Sequence, residues 1–174
     1  MIIWINGAFG VGKTSVANVL HQRIAGSFLY DPENAGNFIR NNLPESMWED
    51  DFQDYPLWRE LNYQMLHKIA LAYPKPIIVP MTIVNAMYYE ETIARLQKDT
   101  IDVRHFVLRA SEDTLMQRLL GRNEKPGGWC FQQVSRCVAA FEKDICGIPI
   151  CTENKGVEDI ATEILHQSSY CFFS

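Results

Sequence analysis

The sequence predicts an α/β domain: a parallel sheet with helices on both faces. Three observations lead there. Short apolar runs alternate with longer amphipathic stretches along the chain. The run Pro76–Met81 is apolar throughout, as a strand buried on both faces requires. A glycine-rich turn also separates the first apolar run from the first amphipathic stretch. The length of 174 residues fits a single domain, 1–174. A composition 47% hydrophobic and 21% charged separates the chain from disordered ones, and no repeat or linker divides it.

Ile2–Ile5 reads as a buried strand, and Thr14–Ile24 as a helix with Val16, Val19, Leu20 and Ile24 at helical spacing. Ser27–Tyr30 is a second strand, broken by Asp31 and Pro32, and Glu33–Asn42 a short helix. Asp54 is the expected N-cap of a helix with Pro56 in its first turn and Leu57, Leu61, Met65, Leu66 and Ile69 on its buried face. After the third strand, at Pro76–Met81, come a helix at Tyr88–Lys98 and a fourth strand at Val103–Leu108. Ser111 caps a helix running through Leu120, with Glu112 and Asp113 in its first turn. Gly121–Gly128 is polar and glycine-rich; helices at Phe131–Lys143 and Val157–Gln167 flank a fifth strand, Ile148–Cys151.

Composition weighs against several function classes. A net charge of −5 argues against a general nucleic-acid binder. No run approaches the roughly 20 apolar residues that span a bilayer, and the N-terminus lacks a signal peptide, so a cytoplasmic location is expected. The five cysteines form no CxxC pair and read as small hydrophobes. The four histidines show no metal-ligand spacing and read as ordinary core or surface residues.

Gly7-Ala8-Phe9-Gly10-Val11-Gly12-Lys13-Thr14 matches the phosphate-binding pattern G-x-x-x-x-G-K-[ST]. Glycines let successive backbone N–H groups turn toward one anion, and the helix N-terminus adds positive partial charge there. Lys13 supplies an ammonium to the β- and γ-phosphates, the Thr14 hydroxyl is an Mg²⁺ ligand, and Ser15 completes the nucleotide-binding set. ATP and Mg²⁺ are the cofactors expected. The context is the one this mechanism needs: a strand before the motif and a helix after it.

Acidic and basic residues elsewhere complete the reading. Asp31 and Glu33 follow the second strand, at the ligand-binding end of a parallel sheet. Either could be a catalytic base or a water-mediated Mg²⁺ ligand, with Asp31 favoured; otherwise Asp31 only starts the turn at Pro32. The third strand ends Val79-Pro80-Met81-Thr82 without an acid, which weakens a motor-type ATPase. Arg109, Arg118 and Arg122 surround the helix before the glycine-rich segment, and Arg136 follows it. Arg118 and Arg122 share a helix face, where they can stabilise charge on a transferring phosphoryl group. Arg40, Asp54, Trp58 and Arg59 lie between strands two and three, where an aromatic and an arginine suit a nucleoside-like or anionic acceptor, or else serve the core.

The start Met-Ile-Ile-Trp-Ile-Asn-Gly-Ala-Phe-Gly-Val-Gly-Lys-Thr closely resembles the bacterial tunicamycin-resistance ATP-binding proteins. Further blocks do so too: Tyr30-Asp31-Pro32-Glu33, Asp51 to Arg59, Ile78 to Val84, His105-Phe106 and Arg136-Cys137-Val138. The resemblance implies a three-layer α/β/α P-loop kinase fold like that of nucleoside monophosphate and shikimate kinases, with a five-stranded parallel sheet. It implies a lid at about 121–130 with Arg118 and Arg122 on phosphate or adenine, and an adenine border at Thr152 to Gly156, Thr152 and Asn154 included. The acceptor region would be about 31–60. The founding member of that family carries a longer, basic C-terminus. This chain ends Ser169-Tyr170-Cys171-Phe172-Phe173-Ser174, so membrane association is not expected. The leading expectation is a kinase moving the γ-phosphoryl group of ATP to a hydroxyl of a nucleoside-like molecule such as tunicamycin. The competing expectations are an ATP-dependent drug-binding protein without transfer, and an unrelated metabolic kinase of the same fold.

Overall fold

The computed structural model describes residues 1–168; the C-terminal Ser169–Ser174, including Cys171, lies outside them. Five strands, β1 (Ile2–Gly7), β2 (Phe28–Leu29), β3 (Ile77–Pro80), β4 (Val103–Arg109) and β5 (Ile148–Cys151), form one sheet in the order β2-β3-β1-β4-β5. Every pairing is parallel. The helices are α1 (Lys13–Arg23), α2 (Glu33–Asn41), α3 (Pro56–Ala72), α4 (Ala86–Tyr89), α5 (Arg95–Lys98), α6 (Glu112–Leu120), α7 (Trp129–Lys143) and α8 (Val157–Gln167). A π turn at Glu90–Ala94 makes α4 and α5 one continuous rod. The expected α/β class, strand count and parallel sheet are all present.

The pleat of β1 distributes the core. Ile3 and Ile5 join Val16 and Leu20 of α1 and Ile160 and Ile164 of α8 on one face. Ile2 and Trp4 join Ile77, Val79, Trp58 and Leu66 on the other. Because β1 lies between β3 and β4, the turn after it opens at the point where strand order reverses, the standard crevice of an open α/β sheet.

Two sequence expectations change. Asp54 does not cap α3: the N-cap is Tyr55, without a side-chain bond, and Asp54 closes a 3₁₀ turn at Phe52–Asp54. The buried face of α3 is also rotated. Leu57 and Met65 are exposed, and Trp58, Arg59, Asn62, Tyr63 and Leu66 point inward. The polar members bury because each finds a partner: Asn62 donates to the Trp58 carbonyl and accepts from the Tyr30 hydroxyl, both at 2.8 Å. The cysteines also divide, Cys137 being buried while Cys146 and Cys151 are exposed. Ser111 caps α6 as expected, its hydroxyl accepting from the Thr114 N–H.

Candidate active site

The cradle begins at the carboxyl end of β1. Gly12, the last residue before α1, has φ 103°, a left-handed value that L side chains rarely adopt. A Cβ there would meet nothing within 4 Å, so the backbone angle rather than lack of room calls for glycine. Lys13 folds back over the loop and donates to the carbonyls of Gly7 (3.0 Å) and Ala8 (3.1 Å). Its ammonium is 5.3 Å from the centre of the Phe9 ring. Burial lowers its pKa to about 8. A cation held by carbonyl dipoles and a ring face, with no carboxylate in a salt bridge to it among the described residues, fits an anionic ligand.

Lys13 opens onto a cavity of about 370 Å³. Phe9, Gly10, Gly12 and Thr14 form its donor side, and Pro80, Met81 and Thr82 its floor. Thr82 stands where the strand-three acid was missing, and its hydroxyl donates to the Gly7 carbonyl at 2.9 Å. Glu33, Arg40 and the run Asp50–Gln53 make the opposite wall, with Arg122, just past α6, and Trp129, at the start of α7, also lining the cavity. The glycine-rich segment expected to form a lid lies between the end of α6 and the start of α7, and the ring of Trp129, the first residue of α7, meets Phe9 edge-on at 5.0 Å.

This opposite wall carries two carboxyls with perturbed titration. Burial raises the Glu33 pKa, Asp31 and Asp51 raise it further, and Lys13 opposes them. Burial also raises the Asp51 pKa, against the hydrogen bonds it accepts from Gln53. Arg136 of α7 stands 3.8 Å from Asp51. Arg40 stacks on Phe52 at 4.5 Å, donates to the Glu49 carbonyl, and keeps a buried Nε–H without a partner.

The other residues picked out in the sequence fall into place around this cavity. Asp31 is exposed, does not line it, and accepts from the Glu33 N–H at 3.0 Å, an Asx turn that starts α2. Asp54 accepts from the Tyr88 hydroxyl at 2.7 Å. Trp58 is fully buried with its indole N–H on the Pro32 carbonyl at 2.9 Å. Arg59 is buried, pairs with Glu91, stacks on Tyr88 and grips the Gln53 carbonyl. Trp58 and Arg59 do not line the cavity; they bond the Pro32 and Gln53 carbonyls behind its opposite wall. Arg118 lies beside the cradle: it donates to the Val11 carbonyl at 3.5 Å, and to the Thr152 hydroxyl (2.9 Å) and carbonyl (2.8 Å). Arg122 alone of that pair reaches the cavity. Arg109 donates to the Phe141 carbonyl. Asn154 takes a left-handed φ of 55° in the loop after β5. Asp51, Thr82 and Trp129 escaped the sequence reading. Asp51 had one signal, its place in the block that resembles the tunicamycin-resistance proteins, but lay outside any helical or strand period.

Known proteins match this arrangement. The tunicamycin resistance protein of Deinococcus radiodurans superposes with a TM-score of 0.82 at 31% identity, over 97% of this chain and 95% of that one. A gluconokinase from Sinorhizobium meliloti 1021 (TM-score 0.64, 15% identity, 97% of each chain) shares the fold. So does a shikimate kinase from Acinetobacter baumannii (0.63, 16%, 96% and 92%). No curated protein matches the chain. The family described as AAA domain matches residues 2–142. The P-loop, the sheet order and these matches agree: the chain belongs to the AAA domain family of P-loop proteins and is similar over nearly its whole length to the Deinococcus tunicamycin resistance protein.

Proposed function

We propose that this protein is an ATP- and Mg²⁺-dependent phosphotransferase that moves the γ-phosphoryl group to a hydroxyl of a nucleoside-like small molecule, with tunicamycin a leading acceptor. One observation carries the reading: the half-buried Lys13 ammonium faces a cavity whose far wall presents the carboxyls Glu33 and Asp51. A donor cation and an acceptor-side base on one cavity are the two halves that phosphoryl transfer needs. The cytoplasm, where ATP is abundant, is the place of action this implies.

The residues present fit both groups. The cradle N–H groups and Lys13 suit the β- and γ-phosphates, and Arg122 would reach them from the lid. Thr14 would hold Mg²⁺ through its hydroxyl. Among the described residues no three acidic, histidine or cysteine side chains cluster to hold a metal, so phosphate oxygens and water would complete its shell. When bound, the ion neutralises charge on the transferring oxygens. Glu33 and Asp51 would orient the acceptor hydroxyl and accept its proton, their raised pKa values making them better bases than free carboxylates. Asp31 would act on them through its turn at the start of α2. Arg118, Thr152 and Asn154 would border the adenine.

Mass spectrometry tests this. The protein, ATP, Mg²⁺ and tunicamycin should yield a phosphate-sized mass gain on the drug. If the drug binds in the presence of ATP and gains no mass, sequestration replaces transfer. If it neither binds nor reacts, tunicamycin is not the acceptor, and a screen of nucleosides and other hydroxylated metabolites follows.

A further inference from the structure

Asn6 is the residue before the cradle and has no solvent exposure. Its side-chain amide is fully used. Oδ1 accepts from the N–H groups of Gly7 and Ile83, both at 2.9 Å. Nδ2 donates to the Ile83 carbonyl at 2.9 Å and meets Nε2 of His105 at 3.2 Å. The partners fix the proton on that ring. Nδ1 of His105 is 2.9 Å from the Cys146 carbonyl, which only accepts, so Nδ1 carries the hydrogen and Nε2 is an acceptor. An acceptor there holds the NH₂ end of Asn6 toward β4 and its oxygen toward Gly7. The Gly7 carbonyl then takes the Thr82 hydroxyl and the Lys13 ammonium.

We propose that His105 is a positioning residue for the phosphate cradle: acting through Asn6, it fixes the Asn6–Gly7 peptide from which the cradle starts, next to the Gly7 carbonyl that Lys13 and Thr82 grip. The inference rests on the reading that the cradle binds nucleotide phosphate. The chain of contacts is continuous: Cys146 carbonyl, His105, Asn6, Gly7, Lys13. Neutrality of the ring is part of the device, because an imidazolium would turn a donor toward the Asn6 NH₂. Burial keeps the ring neutral, lowering its pKa to about 4. The titratable groups that face it are Tyr89 from α4, its ring 5.5 Å away, and Cys146 from the loop before β5. The Tyr89 phenol is uncharged at neutral pH, and burial, foremost, raises its pKa further.

If the network only joined β1 to β4, its loss would lower melting temperature and leave nucleotide affinity alone. The test measures binding of a fluorescent ATP analogue with Mg²⁺ to wild type, H105F and H105Q, and follows the His105 ring by NMR in wild type and N6D. His105→Phe keeps a ring and removes the acceptor; affinity should fall about tenfold, the weight of one well-placed hydrogen bond. His105→Gln offers an oxygen to Asn6 and should recover most of that loss. In Asn6→Asp the carboxylate keeps the bond to Gly7 N–H but faces Nε2 without a proton. The ring should therefore titrate at least one unit above wild type. H105F affinity within twofold of wild type, or an unshifted His105 pKa in folded N6D, would overturn the proposal. If N6D does not fold, the H105F and H105Q affinities decide alone. A wild-type protein that binds no nucleotide overturns the parent reading as well, and so is told apart from a failure confined to the variants.

Discussion

Lys13 carries the strongest prediction at the scale of one residue. In the free protein its pKa is about 8 because burial disfavours the ammonium. Phosphate favours the charged form, so nucleotide binding should draw a proton onto Lys13 near pH 8 and none near pH 6. Titration calorimetry in two buffers of different ionisation enthalpy reads that uptake directly. Affinity should accordingly hold below pH 8 and weaken as pH rises through it; an ATP affinity flat from pH 6 to 9.5 would contradict this. The carboxyls divide in the same way. Asp51→Asn should lower kcat about a hundredfold or more, as loss of a general base does, with little change in nucleotide affinity. Asp31→Asn, which keeps an oxygen for the Glu33 N–H, should cost less than tenfold. Burial puts the Asp51 pKa above its usual value, so activity should be lost on the acid side earlier than for an ordinary aspartate. The turn that Asp31 starts was legible in sequence, because Asp31 and Pro32 follow a strand. Asp51 was not, because its position depends on a 3₁₀ turn and on contacts from Arg59 and Arg136 that no local pattern encodes.

Among the elements, α2 and the turn at Phe52–Asp54 are locked by the absence of one side chain. A Cβ on Gly36 would lie 2.2 Å from the Phe52 ring. Gly36→Ala should push that turn outward, raising KM for the acceptor more than for ATP and costing about 1–3 kcal/mol of stability, the range for overpacking. Steady-state kinetics and a denaturant titration read the two effects. The Phe9–Trp129 contact couples the cradle to α7, so Trp129→Ala should quicken nucleotide release by several-fold in stopped-flow measurements. The strands and the ends of most helices were legible, since period and capping residues report them locally. Ser111 and the apolar β3 are examples. The inward face of α3 was not. Counting apolar residues favoured Leu57 and Met65, while the fold buries Arg59 and Asn62, whose burial depends on partners distant in sequence.

Across the whole molecule, one sheet holds the two walls of the cavity in a fixed relation, because they follow the carboxyl ends of β1 and β2, the two strands that flank β3. Saturating ATP analogue at about a hundred times its Kd should stabilise the folded state by about 2.7 kcal/mol. For a chain of this size that is roughly 5–10 °C in Tm, readable by scanning fluorimetry. A Lys13→Met variant should show almost none of this shift. The bonds from Arg118 to Val11 and Thr152 bear on how nucleotide arrives. They fasten the cradle to the loop after β5 in the free protein, so that side of the cradle is already assembled. The exposed segment Gly121–Gly127, by contrast, is tied at its ends, Gly121 to Glu124 to the last turn of α6 and Gly127 to Gln132 of α7. The entropy of ordering therefore falls on the lid alone, and nucleotide capture should be quick to begin and slow to finish: fast docking of the base, followed by closure whose rate does not depend on ATP concentration.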